Sequence, residues 1–106
     1  MALEQKVASL IGFAAKSGRL LLGNHAVEQG IKRKQAKLVL AASDMNPKRR
    51  DILRLWCQDM EIPFLATGTK EGYGAMLQRP PLGLLALTDK HMAQGIIDAA
   101  KTNGGG

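Results

Sequence analysis

Five consecutive apolar residues, Leu38-Val39-Leu40-Ala41-Ala42, stand between Lys37 and Ser43. A run that short and that uniformly apolar reads as a β-strand covered on both faces, because a half-exposed strand would alternate with polar residues. Layers of other structure must therefore lie above and below it. The preceding residues supply one of them. Arg19-Leu20-Leu21-Leu22 is a short apolar strand broken by Gly23, and Ala26, Val27, Gly30 and Ile31 then recur at helical spacing. Asn24 is of a residue type that caps helix starts, while Gln29, Lys32 and Arg33 face away from the apolar stripe.

The same alternation extends in both directions. Leu3 to Lys16 predicts a helix with Leu3, Val7, Leu10, Ile11 and Ala14 on one face, stopped by Ser17-Gly18. After Ala42, Asn46 and Pro47 mark the cap and first position of a helix to about Met60. Ile52, Leu55, Trp56 and Met60 form its expected buried stripe, with Cys57 packing beside it. Ile62 to Thr67 predicts a strand with Pro63 at its start or at an edge. Thr69 caps a short helix through Leu77 that Gly72 and Gly74 weaken, and Gln78 to Gly83 is a stiff loop. Leu84 to Thr88 is the last strand, and Asp89 caps a helix with Met92, Ile96, Ile97 and Ala100 facing in. The fold expected is α/β: a three-layer α/β/α sandwich around a four-stranded mixed sheet. Residues 1–101 make one domain, and 102–106 a flexible, glycine-rich tail.

Charge is distributed unevenly. Between Lys16 and Arg50 nine Lys and Arg face only Glu28 and Asp44, whereas the rest of the chain is nearly balanced. The whole net charge of +6 therefore comes from one third of the sequence, the footprint of a polyanion-binding surface. Lys48-Arg49-Arg50 follows Pro47 and so occupies the first helical turn, where the helix dipole disfavours cations by roughly 0.3–1 kcal/mol each. A bound anion would offset that repulsion. Lys32-Arg33-Lys34 sits at a helix C-terminus, where cations are locally stabilised, and carries less weight. The start of the second helix, at Gly23 to His25, offers free N–H groups to phosphate.

Aromatic residues make up only 4%, which disfavours RNA-binding modules that stack bases on aromatic platforms. One cysteine excludes an internal disulfide and a thiolate zinc site. No carboxylate pair or metal-spaced histidine cluster is present, and Gly68 to Gly74 lacks both nucleotide-binding spacings. Neither an enzyme, a metal nor a cofactor is expected. No apolar signal region or spanning-length run occurs, so the cytoplasm is the expected location.

Gln35 to Ala42 followed by Asp44 and Pro47, the Gly23 turn, Ile62-Pro63 and the Thr69-Lys70-Glu71 helix reaching Gly74 together resemble the ribosomal-protein family that binds kink-turn RNA. The bacterial YlxQ-type branch looks closest, and the likeness runs from about Leu3 to Ala100. Members of that family approach RNA through Gly-x-Asn-x-x-x-Lys at the start of the second helix and through an apolar loop before the last strand. Here the glycine is Gly23, the asparagine position holds His25 with Asn24 displaced by one, and the lysine position holds Gln29. The loop corresponds to Arg79, Pro80, Pro81, Leu82 and Gly83. The resemblance implies structured RNA, within or outside the ribosome, as partner, with no membrane and no DNA. The RNA-contacting set expected from residues and resemblance is Arg19, Gly23, Asn24, His25, Gln29, Arg33, Lys37, Lys48, Arg49, Arg50, Arg79, Pro80, Pro81 and Leu82. The rival expectation is a protein–protein adaptor that uses the same basic face.

Overall fold

The computed structural model describes the backbone of residues 5–104 and side chains as far as Lys101. The chain forms α1 (Gln5–Lys16), β1 (Leu20–Leu22), α2 (Asn24–Lys32), β2 (Leu38–Ala41), α3 (Pro47–Asp59), β3 (Phe64–Ala66), α4 (Lys70–Met76), β4 (Leu84–Leu87) and α5 (Lys90–Gly104). The expected contribution of Leu3 to α1 lies outside the described residues. Of the expected flexible tail, 102–104 are drawn into α5, and 105 and 106 lie outside the described residues.

The sheet is mixed, in the order β1-β4-β2-β3. Strand β4 runs antiparallel to both β1 and β2, and β3 lies parallel to β2 at an edge. Pro63 immediately precedes that edge strand, and its carbonyl accepts from Val39 N–H at 2.9 Å, so its missing N–H costs no ladder bond. The two central strands are buried along their whole length.

Because strand side chains alternate, each central strand feeds two cores. Leu38, Leu40, Leu85 and Leu87 join Val7, Ile11 and Ala14 of α1 and Ala93, Ile96 and Ala99 of α5. Val39, Ala41, Leu84 and Ala86 join Val27 and Ile31 of α2 and Leu53 and Cys57 of α3. Helices thus cover both faces of a four-stranded sheet. Tyr73 is fully buried beside the first core, and its hydroxyl donates to the Thr67 carbonyl at 2.8 Å, tying α4 to the end of β3.

The inward faces of two helices differ from the expected ones. In α3, Leu53 and Cys57 point into the core, while Ile52 and Leu55 are each 57% exposed and Trp56 and Met60 are half-buried. The outward stripe is the more apolar of the two, which is why periodicity selected it; docking on the sheet buries the neighbouring stripe about 100° away. In α5 the fully buried positions are Ala93, Ile96 and Ala99, so Ile96 faces in as expected, while Met92 and Ile97 are half-buried at the border of the first core and Ala100 is half-buried. Small residues let α5 approach α1 closely, so the larger side chains flank the contact.

Candidate nucleic-acid interface

Gly23 ends β1 and starts α2. Its φ of 90° and ψ of 169° lie where residues with a Cβ rarely go, so glycine fits the sharp entry into the helix. Its N–H donates to the Leu84 carbonyl at 2.9 Å, fixing the turn against β4. The N-cap is thus Gly23, and Asn24, expected as the cap, is the first helical residue. No side chain caps α2. By contrast, Asn46 accepts from Lys48 and Arg49 N–H at the start of α3, Thr69 from Gly72 N–H at α4, and Asp89 from Met92 N–H at α5. The first-turn amides of α2 therefore remain available to a ligand, and its dipole favours an anion there.

A groove of about 350 Å³ opens beside this turn. Gly23 and Asn24 form one side, Asn46 and Arg49 of the α3 start a second, and Pro81, Leu82 and Gly83 the far wall, with Lys70 between. Backbone bonds hold the parts in register. Lys70 N–H donates to Asp44 Oδ1 at 3.0 Å, and Leu82 N–H donates to the Lys70 carbonyl at 2.9 Å. Arg50 Nη1 donates to the Ser43 carbonyl at 2.9 Å, bracing the loop that leads into α3. Arg49 is ion-paired with Glu28 in the second turn of α2, which ties the start of α3 to that helix. Arg79 and Pro80 continue the far wall as exposed residues packed over Gly74 of α4.

His25 is exposed in the first turn of α2, and half-buried Gln29 follows four residues later on the same face. Lys48 is exposed and falls about 100° round α3 from Arg49, so it does not line the groove. Three expected members of the site lie elsewhere. Arg19 sits at the other end of β1, about 13 Å of strand from Gly23, where its carbonyl accepts from Thr88 N–H and its guanidinium pairs with Asp89 at 3.5 Å. Lys37 is at that same end, its N–H bonded to the Leu87 carbonyl, and Arg33 caps the far end of α2. Strand and helix lengths separate residues that nearness in sequence had grouped.

Lys70 was missed. It is the only lysine lining the groove among the described residues, and its aliphatic stem lies alongside Gly83. The cue was its place directly after the Thr69 cap; the contact that brings it to the groove spans 26 residues. Among the described residues no group of three or more His, Cys, Asp or Glu is placed to hold a metal ion. No described helix is long and apolar enough to cross a membrane.

Residues 5–96 match the model of the "Ribosomal protein L7Ae/L30e/S12e/Gadd45 family". Over 73 residues the chain is 32% identical to the large ribosomal subunit protein eL8 of Thermoplasma volcanium, covering 68% of this chain and 60% of that protein. The chain thus spans about 60% of the length of that curated relative. Among solved structures, a protein of unknown function from Bacillus halodurans superposes with a TM-score of 0.84 at 24% identity, covering 90% of this chain and 96% of that one. The 15.5kD RNA binding protein of Giardia lamblia gives 0.78 at 19% identity, covering 99% and 92%. At those identities the two structures speak to the fold.

Proposed function

Because the chain belongs to the ribosomal protein L7Ae/L30e/S12e/Gadd45 family, we propose that it is a non-catalytic RNA-binding protein that engages a bent, kink-turn-like junction of structured RNA. The ribosome is the candidate host of that RNA, which puts the work of the protein in the cytoplasm. The observation that carries the reading is the groove, where an uncapped helix start, the basic start of α3 and an apolar wall face one another.

Each part has a separate task. The free amides at the start of α2 and the cations of Arg49, Arg50 and Lys70 meet phosphates, which fixes position without reading sequence. His25 and Gln29 reach base edges; a neutral imidazole both donates and accepts, and the amide of Gln29 does the same. Pro80, Pro81 and Leu82 pack against unstacked nucleotides at the bend, with Arg79 beside them for the backbone. Glu28 holds Arg49 in place and limits how much of its charge reaches the RNA. Arg19, Arg33 and Lys37 meet RNA only when it is long enough to pass round to the other end of the sheet.

Binding of a bent-junction RNA by the wild type and by His25→Ala/Gln29→Ala tests this. A loss of at least about tenfold, or about 1.4 kcal/mol, is expected for the junction, with little change for a straight duplex. About four phosphates are engaged, so log affinity should fall against log salt with a slope near −3. Unchanged junction affinity in the double variant, or binding insensitive to salt, would overturn the assignment. Unchanged affinity with a steep salt slope is the outcome expected of a bulk-charge adaptor.

A further inference from the structure

The face that α3 turns outward is apolar at its middle and charged at both ends. Lys48, Ile52, Leu55 and Asp59 recur at i, i+4, i+7 and i+11, the spacing of a helix–helix seam. All four are exposed, and Ile52 and Leu55 are each 57% accessible despite being large and apolar. Half-buried Trp56 borders them on the side towards the core. Among the described residues neither Lys48 nor Asp59 has an ion-pair partner, whereas the neighbouring Asp51 is already paired with Arg54.

We propose that α3 forms the interface of a two-fold dimer in which two copies pack antiparallel. The pairs Ile52/Leu55 and Lys48/Asp59 share one midpoint, between Leu53 and Arg54. A two-fold axis through that point sets Ile52 against Leu55 of the partner subunit and, simultaneously, Lys48 against Asp59 of the partner subunit. One operation thus satisfies the apolar and the charged pairs together, as an isologous interface requires. A parallel arrangement would set lysine against lysine.

The helix dipole supplies an independent reason. The first turn of α3 contains no acid and its last turn no base; instead it begins with Lys48-Arg49-Arg50 and ends with Asp59. Charges at both ends oppose the dipole of their own helix. An antiparallel neighbour brings Asp59 of the partner subunit to the cationic start and Lys48 of the partner subunit to the acidic end. The arrangement that costs stability within one copy is relieved at both ends by a second. Arg49 and Asn46, which line the groove, lie on another face of α3, so the dimer leaves both grooves open. The seam is a single helix face with two large apolar residues per copy, so the dimer is weak and reversible.

Sedimentation equilibrium of the whole chain from about 10 µM to about 1 mM reads this directly, the range in which small interfaces associate. The average mass should climb from the 11.4 kDa monomer towards twice that value. Ile52→Arg, a change at an exposed position that leaves the fold intact by circular dichroism, should abolish the rise. Asp59→Lys should weaken association about five- to tenfold, through loss of two symmetry-related pairs. The exchange Lys48→Glu/Asp59→Lys should restore it, which general stickiness would not do. A monomer throughout, association that survives Ile52→Arg, or an exchange variant no better than Asp59→Lys overturns the proposal.

Discussion

Replacing Gly74 with alanine should loosen the far wall of the groove and lower the melting temperature, although alanine is the better helix former. Gly74 is buried in α4 under the loop that carries Arg79 and Pro80, and Arg79 N–H donates to the Gly74 carbonyl at 2.8 Å. A Cβ there would stand 2.6 Å from the Pro80 carbonyl oxygen and 2.8 Å from both the Arg79 oxygen and the Pro80 carbonyl carbon. These are backbone atoms, so no side-chain rotation relieves them. Restoring an ordinary 3.4 Å contact moves the loop by about 0.8 Å. Helix propensity returns about 1 kcal/mol, and overpacking costs about 1–3 kcal/mol, leaving a net loss of about 1 kcal/mol. For a domain of this size that is a fall of about 4–8 °C. Gly12 of α1 is the control, since a Cβ there meets nothing within 4 Å and Gly12→Ala should raise stability by up to about 1 kcal/mol. Calorimetry of both variants, with a titration of bent-junction RNA, separates the effects: Gly74→Ala should bind severalfold more weakly and Gly12→Ala unchanged. If Gly74→Ala gained stability like Gly12→Ala and kept full affinity, the loop would not be pinned against α4 as its contacts imply.

Asn46→Ala removes the acceptor of both Lys48 and Arg49 N–H, and should cost about 1 kcal/mol, measurable as a shift in the urea midpoint. Cys57 is fully buried, and burial pushes its thiol up to about 11. A thiol reagent at pH 8 should therefore label it only as the fold opens, at a rate that rises with denaturant; rapid labelling of the native protein would contradict its burial. The Asp89 carboxyl is held below its ordinary 3.8, first by Met92 N–H, then by His91 N–H and the charge of Arg19. A carboxylate whose folded value is depressed contributes stability above its unfolded value and loses it as pH falls through the folded one. The melting temperature of Asp89→Ala should accordingly trail the wild type above about pH 5 and converge with it in acid.

Much of the architecture was written locally. The unbroken run at Leu38 predicted a two-sided sheet, and the cap signals at Asn46, Thr69 and Asp89 placed three helix starts where the structure has them. What escaped was decided by docking. Ile52 and Leu55 form a better stripe than Leu53 and Cys57, but the sheet takes the second pair, and nothing within α3 announces that choice. The groove was half legible: Gly23 was marked by residue type and the Pro81-Leu82 loop by the family resemblance. Lys70 arrives through a bond to Asp44, and Arg19 departs because a strand is a rigid spacer. Partnerships of that kind depend on strand order, which turns and periodicity do not encode.

The double core described for the sheet has an evolutionary corollary. Odd and even positions of β2 and β4 report to different compartments, so a volume change among Ile11, Ile96 and Leu40 is felt in one storey and hardly in the other. The α1–α5 storey is therefore free to drift in composition while α2 and α3 keep their positions. Lineages sharing this plan should differ more in the first compartment than in the second wherever the groove is what selection preserves.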